Sequence, residues 1–251
     1  SRTLAARRHP SRRHVGRSGR RAARVRDVAL FREPSAAGPS PWIACLETHP
    51  IRTTAVVAHI RHATRGTIAL ENTQPFSREL WGRVHVFAHN GDLGDGLYRN
   101  IPAAARHRPI GETDSEVAFC LLIQRLAATV DPLRQDAGDV TFELFATFAR
   151  EMREKGPANI IYASNGQLLV HADRRTKSPG VIEPPGLWLL ERHCGNSASA
   201  AFTGEAVQVA GKDVDVVLLA SVPLTDEPWR ALKQGSVLQL EYGRVIRAGR
   251  T

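Results

Sequence analysis

No run of apolar residues in this 251-residue chain approaches the roughly 18 that a membrane-spanning helix needs, which excludes a helical span. Cysteine is scarce. Cys45, Cys120 and Cys194 lie far apart with no C-x-x-C pair, which argues against a disulfide framework or a cysteine-built zinc site and fits a reducing, cytoplasmic setting. Lysine, acidic and aromatic residues are all missing from residues 1–26, which hold ten Arg instead. That segment accounts for the net charge of +9, because residues 27–251 carry 24 basic against 25 acidic side chains. A body this close to neutral lacks the electrostatic footprint of a nucleic-acid binder, so neither nucleic acid nor a membrane is expected as its partner.

Without apolar periodicity, residues 1–26 are expected to be disordered by themselves. Their Arg-rich, acid-free composition is that of an organellar transit peptide, of a basic arm for RNA or anionic lipid, or of GC-rich DNA translated out of frame. The abrupt change of composition at Asp27 favours the third. Residues 27–251 contain no internal repeat and no long Pro/Gly linker, and are expected to form one domain.

Within that domain, Asp27–Phe31, Thr54–His62 and Val84–His89 read as strands, with a Pro/Ser-rich loop running to Pro41. Thr113 and Glu116 form a T-x-x-E cap for a helix over Thr113–Thr129, and a second helix over Val140–Lys155 stops at Gly156-Pro157. Strands follow at Asn159–Ala163, Gln167–Ala172, Leu187–Arg192 and Val214–Ser221. Ser236–Leu240 and Arg244–Ile246 close a hairpin around Tyr242-Gly243. Strands, then helices, then strands again point to a layered α+β fold rather than a doubly wound parallel sheet.

Four short segments carry chemical interest, and each has an ordinary reading. Arg61, in His59–Gly66 (HIRHATRG), taken alone is a surface ion-pair residue at a strand end. Asn72-Thr73-Gln74-Pro75 taken alone is a turn. His89-Asn90-Gly91-Asp92 taken alone is a tight hairpin turn, since Asn-Gly tolerates positive φ. Thr113-Asp114-Ser115-Glu116 taken alone is a helix cap, with Asp114 at the positive end of the dipole.

Together and in this order, the four segments resemble the glutamine-hydrolysing domain of class II glutamine amidotransferases, in particular its stand-alone members. Val57–Leu93 carries most of the resemblance, with weaker similarity at Thr113-Asp114 and Pro223–Val245. The resemblance implies an Ntn-hydrolase fold, a four-layer αββα sandwich of two antiparallel sheets between helical layers. It implies that Asn90, through its side-chain amide, and Gly91, through its backbone N–H, form the oxyanion hole. Fixed donors facing a developing oxyanion are worth about 3 kcal/mol of barrier each. It further implies that Arg61 binds the substrate α-carboxylate with the Thr64 hydroxyl beside it, and that Asp114 binds the α-ammonium. Gripping both charged ends makes the attack an oriented, near-unimolecular step.

The family's nucleophile is an N-terminal Cys whose own α-amino group serves as base, and no residue here matches it. Cys45, the first cysteine, is internal and reads as a small packed residue. Ser1-Arg2-Thr3-Leu4 does not resemble the start of a catalytic strand. The family's opening strand belongs ahead of Asp27, where the Arg-rich segment stands, so the sandwich is expected to lack its first strand and the chain to bind without turnover. Two departures bear on substrate preference: Gln74 stands where relatives often carry His, and Arg65 occupies a position of variable charge.

No cofactor is expected, and no metal. His59 and His62 point to opposite faces of one strand, while His85 and His89 share a face without a third ligand. The expected ligand is glutamine or a γ-glutamyl amide. No synthase domain fits after Asp114, so an ammonia acceptor would sit on a partner chain. A γ-glutamyl hydrolase of an ergothioneine-like pathway needs no acceptor and is an alternative, as is a non-catalytic protein that keeps only the binding pocket.

Overall fold

The computed structural model describes residues 2–8, 28–34, 40–49, 51, 53–60, 67–194 and 214–251. Its centre is a six-stranded antiparallel sheet that the chain enters late. The strands before it are β1 (Arg2–Arg8), β2 (Val28–Arg32) and β3 (Thr53–Ile60), with helix α1 (Pro41–Thr48) between the last two. β4 (Phe76–Leu80) and β5 (Arg83–Gly91) then open the large sheet, and helices α2 (Asp114–Thr129) and α3 (Ala137–Lys155) cross one of its faces. β6 (Ala158–Ser164) and β7 (Gln167–Ala172) return to it. The small hairpin β8 (Arg175–Ser178) and β9 (Val181–Glu183) leads on to β10 (Trp188–Cys194), β11 (Val214–Ala220) and β12 (Arg230–Ala231). β13 (Ser236–Glu241) and β14 (Arg244–Arg250) complete the large sheet in the order β14-β13-β7-β6-β5-β4.

Alternation along β5 shows how the layers form. Phe87 faces the helices and joins a core with Phe119, Leu122 and Ile123 of α2 and Phe145 and Phe148 of α3. Val86 and Ala88, on the opposite face, pack with Val28, Leu30 and Val57 of β2 and β3. The sheet β11-β10-β12 covers the rest of that second face through Leu187, Leu189, Leu238 and Leu240. A helical layer, the large sheet and two small sheets are therefore stacked in order. On the outer side, Trp42 of α1 meets Phe31 of β2 with ring centroids 5.5 Å apart.

The helices have clear causes. The Thr113 hydroxyl accepts the Glu116 N–H and caps α2, as T-x-x-E predicts. The reciprocal half of that box is absent. The Glu116 carboxylate instead accepts the Gly111 N–H at 2.7 Å and pairs with Arg78 of β4. α3 buries Phe142, Phe145, Phe148 and Met152 at helical spacing.

The strand position that the sequence leaves unfilled is occupied. Arg2–Arg8 lies between β2 and β3 and pairs antiparallel with both. Ladder hydrogen bonds join backbone groups, so a segment without apolar periodicity can still satisfy both neighbours. Ser1 and residues 9–27, which take in the remainder of the Arg-rich segment, lie outside the described residues. No helix among the described residues is long and apolar enough to cross a membrane.

The stacked Phe87 and Phe119 rings, 5.2 Å between centroids, join the sheet to α2 and are fully buried. Phe119→Ala is expected to lower the unfolding free energy by about 3–5 kcal/mol in urea titrations. A loss below about 1 kcal/mol would mean that the helical layer does not rest on this contact.

Candidate functional site

Asn90 and Gly91 are the exposed last two residues of β5, paired with Asn159 and Ala158 of β6. They form no hairpin turn, and neither has positive φ. The glycine is required for another reason: a Cβ on residue 91 would lie 1.7 Å from the Pro157 carbonyl oxygen and 2.7 Å from His89 Nε2. Gly156 is as tightly held, with its absent Cβ 1.9 Å from the Asp92 carbonyl oxygen.

β4 does not extend this far, so the free edge of β5 is served by side chains. The Gln74 amide takes the place of a neighbouring strand. Its Oε1 accepts the His89 N–H at 2.6 Å and its Nε2 donates to the His89 carbonyl at 3.0 Å. Two residues past Gly91, the Leu93 N–H donates to Asp114 Oδ2 at 2.6 Å. Strand alternation directs the Gly91 N–H to the same edge as that of His89, between these two acceptors. The Asn90 side chain forms no hydrogen bond among the described residues. An amide side chain and a backbone N–H, both uncommitted, thus stand together on an exposed strand end.

Asp114 begins α2 and is half-buried. Its Oδ1 accepts the Ser115 N–H at 2.8 Å, and its second oxygen holds Leu93. A carboxylate has about four acceptor positions, so one facing solvent can still take an ammonium. Next to it, the Ser115 hydroxyl lies 2.8 Å from His89 Nδ1, and His89 Nε2 lies 3.1 Å from the Pro157 carbonyl. A carbonyl only accepts, so Nε2 carries the proton and Nδ1 accepts from Ser115. Burial lowers the His89 pKa against the opposing pull of Asp114, which keeps the ring neutral.

The structure therefore brings Asn90, Gly91 and Asp114 to one place. Arg61 and Thr64 lie outside the described residues. Asn159 and Asp173, which support the three, match no motif of the sequence, and the supporting roles of Gln74, His89, Ser115 and Asn72, whose buried Oδ1 accepts the Glu112 N–H at 2.8 Å, were not read from their segments. The signal available in the sequence was the clustering of uncharged amides beside the motif residues. Among the described residues, no cluster of three or more His, Cys, Asp or Glu could hold a metal. Cys120 is fully buried, and burial pushes its thiol up to about 11, so it supplies no nucleophile. A cavity of about 50 Å³ lies at the opposite end of β5, lined by Val28, Val57, Val84 and Val86 among others. Arg83, Ser164, Asn165 and Gln167 also line it, and none of the motif residues does.

The antiparallel sheets, stacked face to face under a helical layer, have the Ntn-hydrolase fold. The family model for glutamine amidotransferases class-II matches residues 21–251, and the chain belongs to that family. YafJ of Escherichia coli (strain K12), a candidate glutamine amidotransferase, is 35% identical over 207 residues, which make up 82% of this chain and 76% of YafJ. A candidate glutamine amidotransferase of Haemophilus influenzae is 38% identical over 225 residues, or 88% of this chain and 71% of that protein. Among solved structures, a predicted glutamine amidotransferase from Pseudomonas aeruginosa PA01 superimposes with a TM-score of 0.66 at 26% identity. The match covers 98% of this chain and 87% of that one.

His85 lies on the same face of β5 as His89. Its Nε2 donates to the Leu80 carbonyl at 3.2 Å, and its Nδ1 accepts from the Tyr162 hydroxyl at 2.6 Å. Burial lowers its pKa from 6.5 to about 4. The unfolded chain binds that proton at higher pH, so the associated stability is complete above pH 6.5 and is lost as pH falls toward 4, by about 3 kcal/mol in all. In urea titrations, His85→Gln should flatten the pH dependence of unfolding between pH 6.5 and 4. His89 and His171 leave a residual slope of the same sign. Superimposable profiles for the two proteins would show that His85 is not held neutral.

Proposed function

We propose that this domain binds L-glutamine or a related γ-glutamyl amide and presents its side-chain carbonyl for hydrolysis. The observation that carries the reading is the uncommitted Asn90 amide and Gly91 N–H on a strand end that Asp114 grips through Leu93. Donors so placed suit the carbonyl oxygen that becomes an oxyanion on attack. Asp114 takes the α-ammonium. Arg61 and Thr64, by their match to the family's motif, take the α-carboxylate. Family membership supports the reaction class; the particular amide and the acceptor of its nitrogen, on a partner synthase chain or water alone, belong to the proposal.

Hydrolysis needs a nucleophile beside these donors, and Cys120 is excluded by burial.

The binding reading is tested by calorimetry with two ligands, glutamine and glutaramic acid, which lacks the α-amino group. Asp114→Asn should weaken glutamine about 10–100-fold, the worth of one charged hydrogen bond. Glutaramic acid should bind both proteins equally. Equal losses for the two ligands would remove Asp114 from the ammonium site, and no glutamine binding by the unaltered protein would end the proposal.

A further inference from the structure

Asn159 matches no motif residue, yet every polar atom of its side chain is committed. It is the second residue of β6, directly opposite Asn90, and is 3% exposed. Its Nδ2 donates to the Asn90 carbonyl at 3.1 Å and to the Arg174 carbonyl at 2.8 Å, and its Oδ1 accepts the Asp173 N–H at 2.8 Å. The Gly186 backbone packs closely against it, since a Cβ there would lie 1.9 Å from that Oδ1. Asp173, fully buried, in turn accepts the Ala158 N–H at 3.1 Å and the Gln234 amide at 2.8 Å. The two β6 residues facing Asn90 and Gly91 are thus tied to the end of β7.

The Asn90 carbonyl and the Gly91 N–H belong to one peptide group. That group is planar and trans, so fixing the oxygen fixes the direction of the N–H on its other side. A hydrogen bond accepted by the carbonyl also polarises the group and strengthens the N–H as a donor. We infer that Asn159 is a positioning residue which, through the Asn90–Gly91 peptide, aims and strengthens the Gly91 N–H toward the substrate's side-chain carbonyl. This rests on the reading of Asn90 and Gly91 as donors to that carbonyl.

The test pairs glutamine with norvaline, which keeps the charged head and lacks the distal amide, and follows the Gly91 amide resonance by NMR. Asn159→Ala should reduce glutamine affinity by about tenfold while changing norvaline affinity less than twofold. It should also shift the Gly91 amide proton upfield. Asn159→Ser, too short to reach the Asn90 carbonyl, carries the same expectation if the alanine variant does not fold. Equal weakening of both ligands would reduce Asn159 to a purely structural residue, and an unmoved Gly91 resonance would overturn the inference outright. If the unaltered protein fails to prefer glutamine over norvaline, the functional reading falls instead, and the Gly91 resonance alone decides the role of Asn159.

Discussion

The Pro157 carbonyl occupies the space that a Cβ on residue 91 would need, and the Asp92 carbonyl occupies that of a Cβ on residue 156. Two glycines, Gly91 at the end of β5 and Gly156 at the end of α3 just before β6, let these segments run against each other with no Cβ between them. This close approach sets the position of the Asn90–Gly91 peptide. It leaves His89 Nε2 within hydrogen-bond distance of Pro157, and it places α2, entered through Asp114, against Leu93. A larger residue at either position would force the strand ends apart and separate the donors from the carboxylate. The site is thus a consequence of backbone packing before it is a set of side chains.

Charge is handled with equal economy. The face of β5 toward the helices carries two buried histidines; burial holds both neutral, and each ring then has one carbonyl to donate to and one hydroxyl to accept from. The buried carboxylate of Glu116 is matched by Arg78 and by the Gly111 N–H. That of Asp173 lies 3.7 Å from Arg153 and holds two further donors. Removing one partner of such a pair leaves a buried charge unmatched, so each pair is costly to break even where it adds little net stability.

Much of the fold was legible because both periodicities survive in the sequence. The buried strands, both main helices, the Thr113 cap and the final hairpin at Tyr242-Gly243 all fall within a few residues of their sequence-derived bounds. β4 was not legible. Its Phe-Ser-Arg-Glu-Leu carries charge where a strand pattern needs apolar residues, and Arg78 becomes buriable only through Glu116, 38 positions away. The short strands β8, β9 and β12 and helix α1 are too brief for a period to show. At the site, Asn90-Gly91 invites a hairpin reading, and only the Pro157 contact reveals a glycine chosen for space rather than for φ.

Three uncharged amides serve the Asn90–Gly91 end and the loop that leads into α2, and each acts as a surrogate peptide group where regular pairing stops. Gln74 continues β4 for His89, Asn159 bonds the Asn90 carbonyl across to the exit of β7, and Asn72 holds the loop before α2 at Glu112. A carboxylate in any of these places would accept but not donate, and a lysine would donate but not accept; an amide does both and does not titrate. Framing the strand end with amides satisfies the irregular backbone without placing a titratable group at these three positions. The frame therefore keeps its geometry across the pH range in which the neighbouring histidines would change theirs.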